Sequence, residues 1–334
     1  MAVELSIIVV NWNAGDLLRL AVESVLTAPP SVDFEIVVVD NASTDNSIQL
    51  LRSGEGVQSL IDRNRLRIVE NTDNRGFGQA NNQAFGLTES PLLFLLNPDT
   101  EVTPGSIDRL IATVNSAPRI GAAGPRMLNA DGSLQLSVWR NPPAGWEILL
   151  SQLKLYLLLP QRLRGELLLG GHWAHDRERQ VPMLGGAAIL VRREVIDTIG
   201  GFDERFHMYG EDNEWCLRML RSGWKLVFQP AAVILHHGAK SSLQRWTNLE
   251  KMRVQLNANY FFQQESLSRR RLVTNHLASY LTSAGQDLFR RLRGITAPDV
   301  TLAKQIHWEL FKRAVRGEVL KSLKPAGKNK ETSV

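Results

Sequence analysis

The sequence predicts an α/β fold with a mainly parallel central sheet flanked by helices and a helical extension at the C-terminal end. Two observations carry this reading. Over the first 125 residues, short apolar and β-branched runs alternate with amphipathic segments, the pattern of βαβ units whose strands are buried on both faces. Beyond residue 250, apolar residues recur at helical spacing with Arg and Lys between them, as on amphipathic helices. At 334 residues, with 43% hydrophobic and 22% charged residues, the chain is long enough for a real core and too apolar for a disordered tail or a collagen-like fibre.

The elements follow in order. LSIIVVNW predicts a first strand, GDLLRLAVESVL a helix, FEIVVVDN a second strand, TDNSIQLLRS a helix, LRIVEN a third strand, FGQANNQAFGL a helix and PLLFLLNPD a fourth strand. Residues 121–175 form a less regular connection, with a turn at Ala130-Asp131-Gly132 and a Leu-rich run from Trp146 to Leu159 that stops at Pro160. Glu147, Ser151, Gln152 and Lys154 interrupt that run, so it is too polar for a spanning helix and reads either as an interfacial segment or as an ordinary buried helix. Gly185-Gly186 precede a strand-like AAILV and a helical segment that ends at Gly200-Gly201. Glu211 to Arg221 reads as a helix opened by acidic residues, Trp224 to Phe228 as a strand, and Ala232 to Leu235 as another strand ending in His236-His237.

Charge is divided unevenly. Residues 251–334 hold 16 Lys and Arg against 6 Asp and Glu, whereas residues 1–250 hold 23 against 28. A basic tail on a mildly acidic body suits an anionic surface, either membrane phospholipid or nucleic acid; the alternative is a solvated or packed helical face. No nucleic-acid docking motif or aromatic platform accompanies the basic residues, so nucleic acid is not expected as a partner. The single cysteine, Cys216, forms no internal disulfide and is expected to be buried and inert, and MAVELSIIVVNWN lacks the marks of a signal peptide. Cytoplasmic residence follows as the expectation, peripheral on the inner face of the cytoplasmic membrane if the tail binds lipid.

In parallel sheets the ligand crevice lies outside the carboxyl ends of the strands. Those ends are Asn11-Trp12-Asn13, Asp40-Asn41, Asn71 to Gly76, and Asn97-Pro98-Asp99. Four polar strand ends make a binding edge, although Asn and Asp also cap helices and form turns. Neither GxGxxG after the first strand nor GxxxxGK[ST] is present, which argues against a dehydrogenase or a P-loop ATPase. Separated carboxylates at Asp40, Asp45, Asp99 and Glu211-Asp212, with His236-His237 beyond, suggest instead that a divalent metal neutralises a bound phosphate.

SIIVVNWN, VVVDNASTD, NRGFGQANN, FLLNPDT, MLGGAAILVRREV, GFDERF, GEDNEWCLR and LHHGAKSS occur in this order over roughly residues 5–245. Together they resemble the inverting glycosyltransferases of family 2, most of all their bacterial rhamnosyltransferase-type members. The resemblance implies the GT-A fold, with a catalytic domain over residues 1–245 divided into a nucleotide-binding half (1–125) and an acceptor half (126–245), and a basic amphipathic region over 246–334. It implies transfer of a sugar from a nucleotide diphosphate donor, with Mn²⁺ or Mg²⁺, to a saccharide or lipid-linked acceptor in cell-surface polysaccharide assembly. Among donors, dTDP-rhamnose is the first expectation and a UDP-hexose the second.

Residue roles follow from the same resemblance. Asn11, Trp12, Asp40, Asn41, Asp45, Arg75 and Asn97 are expected on the nucleotide, with Asp40 accepting the pyrimidine imide N–H; the alternative is that Asp40 caps the segment after Asn41, for which Ser43 or Asp45 is better placed. Asp99 matches the last position of the family's Asp-x-Asp, with Asn97 standing where the first Asp belongs. Asp99 and one of His236 and His237 are expected on the metal, since adjacent strand residues point to opposite faces. Glu211 and Asp212 resemble the catalytic pair, with Asp212 as general base; the alternative is that both complement a helix dipole. Trp215 and Arg218 on the same helix are candidates for acceptor or diphosphate contact, Trp215 being equally a core residue. Gly185 and Gly186 either let backbone approach a sugar or form a plain strand-entry turn. The processive synthases of the family carry Gln-x-x-Arg-Trp, and Ser242-Leu243-Gln244-Arg245-Trp246 departs from it. A non-catalytic nucleotide-sugar-binding relative is the remaining alternative.

Overall fold

The computed structural model describes residues 3–139, 154–238, 247–321 and 323. The first part of the Leu-rich run (146–153) and the Ser242–Trp246 segment, with the predicted boundary at 245, lie outside the described residues. Strands β1 (Leu5–Asn11), β2 (Phe34–Asp40), β3 (Leu66–Glu70) and β4 (Leu92–Leu96) are parallel in the order β3-β2-β1-β4. The sheet then becomes mixed. β9 (Ala188–Arg192) runs antiparallel between β4 and β6 (Ile120–Leu128), β10 (Lys225–His236) is parallel to β6, and β5 (Thr100–Val102) closes the order antiparallel to β10. Two short strands, β7 (Leu134–Gln135) and β8 (Arg179–Gln180), pair with β6 and β10. The two strands expected over Trp224–Leu235 are one strand, whose register breaks between Gln229 and Val233, where Pro230 offers no N–H to the ladder.

Alternation along the strands sorts their side chains onto two apolar layers. Leu5, Ile7, Val9, Ile36 and Val38 pack against α1 (Asp16–Thr27) and α5 (Ser106–Asn115) through Leu18, Val22, Ile107 and Leu110. Ile8, Val37 and Val39 belong to the opposite layer, with Ala80 and Ala84 of α4 (Phe77–Phe85), Val195 of α7 (Arg193–Ile199), and Trp215 and Met219 of α8 (Glu211–Arg221). Burial on both faces is why these strands read as continuous apolar runs. Shorter helices, α2 (Ser47–Arg52), α3 (Val57–Asp62) and α6 (Gln161–Leu168), complete this part of the chain. Leu155, Leu157 and Leu158, in the described part of the Leu-rich run, form a single exposed 3₁₀ turn rather than a buried helix.

The basic region is helical, as its periodicity predicts. α9 (Asn248–Ser266) starts at a reciprocal capping box between Thr247 and Glu250. Ser268 caps α10 (Arg269–Leu292) and divides the first of the two expected helical stretches. α11 (Pro298–Arg316) returns antiparallel along α10, where Asp287 accepts from Thr301 Oγ1 at 2.8 Å and from Lys304. Phe261 and Phe262 of α9 pack on Phe206, with the Phe206 and Phe261 rings 4.7 Å apart. No helix among the described residues is long and apolar enough to cross a membrane.

Candidate active site

Two adjoining clefts open along the carboxyl edge of the sheet. The first, about 230 Å³, is lined by Trp12 after β1, Asn41 after β2, Gly76 and Phe77 at the start of α4, and Asn97 and Asp99 after β4, together with His207, Tyr209, His236 and Lys251. Asn11 and Asp40 support this edge from beneath. The Asn11 amide donates to Asp40 Oδ1 at 2.7 Å and to Ser47 Oγ at 2.8 Å, while Asp40 Oδ2 accepts from the Ser43 N–H at 3.0 Å. Asp40 is thus buried and tied to the loop that follows β2, and its neighbour Asn41 faces the cleft. Asn41 Nδ2 donates to the Gly76 carbonyl at 3.1 Å. Gly76 has φ 88°, and a Cβ there would fall 2.5 Å from the His207 carbonyl oxygen, so only glycine lets the two loops meet.

Asp99 and His236 come together because β5 pairs antiparallel with β10 in a register that sets Thr100 opposite His236. His236 Nε2 lies 3.1 Å from the buried Asp99 Oδ1, and its Nδ1 faces Gln135 Oε1. The Gln135 amide is oriented by its own donation to Asn129 Oδ1 at 2.9 Å. Both imidazole nitrogens therefore face oxygen acceptors, yet a neutral imidazole has one N–H. With that proton on Nδ1, the Nε2 lone pair and the Asp99 carboxylate converge, which is the donor arrangement a divalent cation satisfies. One carboxylate and one imidazole suit Mn²⁺ or Mg²⁺ when diphosphate oxygens and water complete the shell, and among the described residues no cluster of three acidic, His or Cys ligands exists. The residues present fit the metal.

The second cleft, about 540 Å³, is lined by Trp139, Tyr209, Glu211, Asp212 and Asn213, and on its other wall by Gln255, Leu256, Ala258 and Asn259 of α9. Tyr209 borders both clefts. Asp212 opens α8. Its Oδ1 accepts from the Asn213 N–H at 2.8 Å and Asn213 Nδ2 at 3.1 Å, and its Oδ2 from the Gly186 N–H at 3.2 Å. Burial raises the Asp212 pKa, and these N–H donors oppose the rise. Glu211 is more deeply enclosed, with Oε2 unpartnered, and burial beside the Asp212 charge pushes it up to about 8. Both carboxyl groups are thus held above their ordinary range, Glu211 also by the Asp212 charge, and the Asp212 side chain faces the cleft.

The remaining expected residues fall as follows. Gly186 lies directly against Asp212, whose Cβ is 3.4 Å from where a Gly186 Cβ would stand; Gly185 donates to the Ser137 carbonyl at 2.8 Å beside the Trp139 ring. Of the two histidines, of which one was expected at Asp99, His236 is the one beside it, and His237 Nε2 meets Glu101 Oε1 at 2.6 Å instead. Trp215 is a core residue, 1% exposed, stacked on Phe85 and donating to the Gly200 carbonyl. Arg218 is corrected, because its guanidinium is held by Glu214 and the carbonyls of Ile199 and Gly201 and braces the turn before Phe202. Asp45 is occupied by the N–H groups of Gly15 and Ser47 and fastens the loop after β1 to α2. Arg75 pairs with Asp73 at the surface, outside the cleft lining. Gln135, Trp139, His207, Tyr209, Asn213 and Lys251 are site residues that sequence reasoning missed. Cys216 is buried as expected, its thiol pushed up to about 12.

The chain is similar to known proteins in sequence and in fold. Residues 6–200 match the model of glycosyl transferase family 2, and residues 169–295 match glycosyl transferase family group 2. The chain is 30% identical over 266 residues to an N-acetylglucosaminyl-diphospho-decaprenol L-rhamnosyltransferase of Mycobacterium tuberculosis, covering 71% of this chain and 77% of that protein. It is also 30% identical over 244 residues to the O-antigen biosynthesis protein RfbC of Myxococcus xanthus, covering 71% of this chain but 18% of that one. Among solved structures, a mannosyltransferase from Pyrobaculum calidifontis in complex with GDP-Man and Mn²⁺ superposes with a TM-score of 0.53 at 16% identity, covering 95% of this chain and 74% of the other. GalNAc-T7 with UDP, GalNAc and Mn²⁺ gives 0.55 at 17% identity, covering 95% and 56%.

Proposed function

The chain belongs to glycosyl transferase family 2 and is a glycosyltransferase of GT-A fold, and from that premise we propose that it moves L-rhamnose from dTDP-rhamnose to a hydroxyl of a lipid-linked saccharide, with inversion and with a divalent metal. One observation carries the reading: the Asp212 carboxyl, oriented by Gly186 and Asn213, faces the cleft next to the one that holds Asp99 and His236. The first cleft takes the donor. Trp12 offers a flat surface to the base, and Asn41 and Asn97 offer amide groups beside it. Asp99 and His236 are the residues that would hold the metal, which when bound neutralises the charge of the departing diphosphate. Lys251 adds positive charge to the same wall.

The second cleft takes the acceptor. As the acceptor hydroxyl attacks the anomeric carbon, the bond from that carbon to the diphosphate oxygen breaks and the hydroxyl proton passes to Asp212. Each Asp212 oxygen already accepts N–H donors, which hold the carboxylate in place; a lone pair remains for the incoming proton. The buried Glu211 keeps its own proton and spares the site a second negative charge near the diphosphate. The M. tuberculosis relative, named for a decaprenol-linked acceptor, supports the lipid-linked class, and the basic C-terminal region supports work at an anionic membrane surface.

Nucleoside diphosphate release with Mn²⁺, followed across dTDP-rhamnose and a panel of UDP-sugars, tests this. Release from dTDP-rhamnose alone, lowered about 10²- to 10⁴-fold in Asp212→Asn with donor binding retained, is the expected outcome. Turnover of a UDP-hexose in its place overturns the donor assignment, and equal rates in the variant overturn Asp212 as the base.

A further inference from the structure

The C-terminal helices differ in what they leave uncovered. α9 spends Tyr260, Phe261 and Phe262 in the interior, and α11 turns Val300, Ile306, Leu310 and Ala314 inward, leaving Trp308 and Val315 41% and 47% exposed. α10 buries Leu272, Asn275, His276 and Asp287 on its inner side, yet Leu281, Leu288, Phe289 and Leu292, with Ile295 in the turn that follows, are between 51% and 78% exposed. Leu281, Leu288 and Leu292 are spaced by seven and four residues, so they form one stripe along the outer face of the helix, with Phe289 beside it. At 24 residues α10 is about 36 Å long, and the stripe occupies the half that ends at the turn into α11.

Arginines flank this stripe. On a helical wheel Arg291 falls on one side of it and Arg293, which continues past the helix end, on the other. The Arg293 guanidinium lies 4.3 Å over the Phe289 ring, and Arg290 reaches toward Asp299 at 3.9 Å. Arg291 Nε is also 3.2 Å from Asp287 Oδ2, and its side chain is 63% exposed. An apolar stripe with an arginine on either side of its C-terminal end suits a helix tip lying in a bilayer interface, its leucines in the acyl boundary and its guanidinium groups near the headgroup phosphates. A second copy of the chain fits the face less well, since a two-fold contact at the helix tip brings Arg291 and Arg293 of both copies close together.

We propose that the distal half of α10, through Leu281, Leu288, Phe289, Leu292 and Ile295 between Arg291 and Arg293, is the face that docks this enzyme onto an anionic phospholipid bilayer. The inference deepens the functional reading, on whose lipid-linked acceptor it rests, by assigning the contact to one helix tip rather than to the charge of the whole tail. Electrostatic attraction brings the tip to the surface, and insertion of the stripe holds it there.

Flotation of the full chain with vesicles tests the assignment, comparing pure phosphatidylcholine with mixtures containing phosphatidylglycerol. The wild type is expected to float with the anionic vesicles and far less with the neutral ones, and to detach as salt is raised. The Leu288→Asp/Leu292→Asp double variant, which keeps every basic residue of the tail, is expected to lose binding at least about tenfold, with an unchanged far-UV circular dichroism spectrum. Arg291→Glu/Arg293→Glu is expected to weaken binding to anionic vesicles alone. Three results overturn the proposal: no binding by the wild type, full binding by the leucine variant, or a wild-type dimer that the leucine variant converts to a monomer while neither floats. Donor turnover measured without vesicles, in wild type and the leucine variant alike, separates failure of the docking face from failure of the functional reading.

Discussion

Trp139 donates its indole N–H to Asn213 Oδ1 at 2.9 Å, and so fixes which end of that amide faces the catalytic carboxylate. With its oxygen engaged, Asn213 presents Nδ2 to Asp212 Oδ1 at 3.1 Å and adds its backbone N–H at 2.8 Å. An aromatic residue on an irregular segment after β7 therefore governs a helix terminus 74 residues away.

The first prediction follows from that chain. Replacing Asn213 by Leu removes the side-chain donor to an ionised carboxylate, a bond worth roughly 1.5–3 kcal/mol. Losing a donor to the charged form raises the Asp212 pKa. The acidic limb of the kcat/KM profile should therefore move up by about one pH unit, with the alkaline limb in place. An acidic limb that coincides with the wild type would show that Asn213 does not hold Asp212.

His236 and His237 meet different carboxylates, Asp99 and Glu101, and their variants should diverge accordingly. His236→Ala removes a nitrogen donor beside Asp99 and should weaken Mn²⁺ binding, read by calorimetry in the presence of nucleoside diphosphate, by at least about tenfold. His237→Ala breaks only the partly exposed contact with Glu101 and should leave that affinity within about twofold, since such pairs contribute little. Equal losses in the two would contradict the orientation of this strand end. Gln135→Leu, which frees His236 Nδ1, should fall between them.

Much of this edge is legible in the sequence because parallel βαβ units bring strand ends to one side by topology alone. Asn11, Asp40 and Asn97 follow from their apolar runs. Asp99 and His236 are 137 residues apart, and their meeting depends on the β5–β10 register, which no local pattern encodes. Gln135, Trp139 and Tyr209 sit on irregular segments whose placement is set by tertiary packing. Of the two readings open for Trp215, helix geometry selects the core one. Trp215 is four residues beyond Glu211, so it shares the inward face of α8, whereas Asp212 is rotated toward the cleft.

That core role gives the third prediction. Trp215→Ala should behave as a cavity mutation, lowering stability by about 3–5 kcal/mol in urea unfolding. Whatever folded protein remains at low temperature should keep the wild-type KM for the acceptor. A raised acceptor KM at full stability would restore the binding role that its burial against Phe85 and Phe202 argues against.

The last prediction concerns pH and stability. Glu211 has an ordinary carboxyl pKa of 4.5 when unfolded and is pushed up to about 8 when folded, by burial and by the Asp212 charge. Between these values the folded chain binds more protons at this position than the unfolded chain, so the stabilisation is complete below about 4.5 and is lost as pH rises toward about 8. Glu211→Gln carries no titrating proton there. Its unfolding free energy relative to wild type should therefore rise through that window by roughly 1 kcal/mol per pH unit at most. Urea titrations of both proteins at pH 5, 6.5 and 8 read the difference directly, and two parallel profiles would mean that Glu211 is ionised in the folded site. In that case the general base would sit beside a second negative charge.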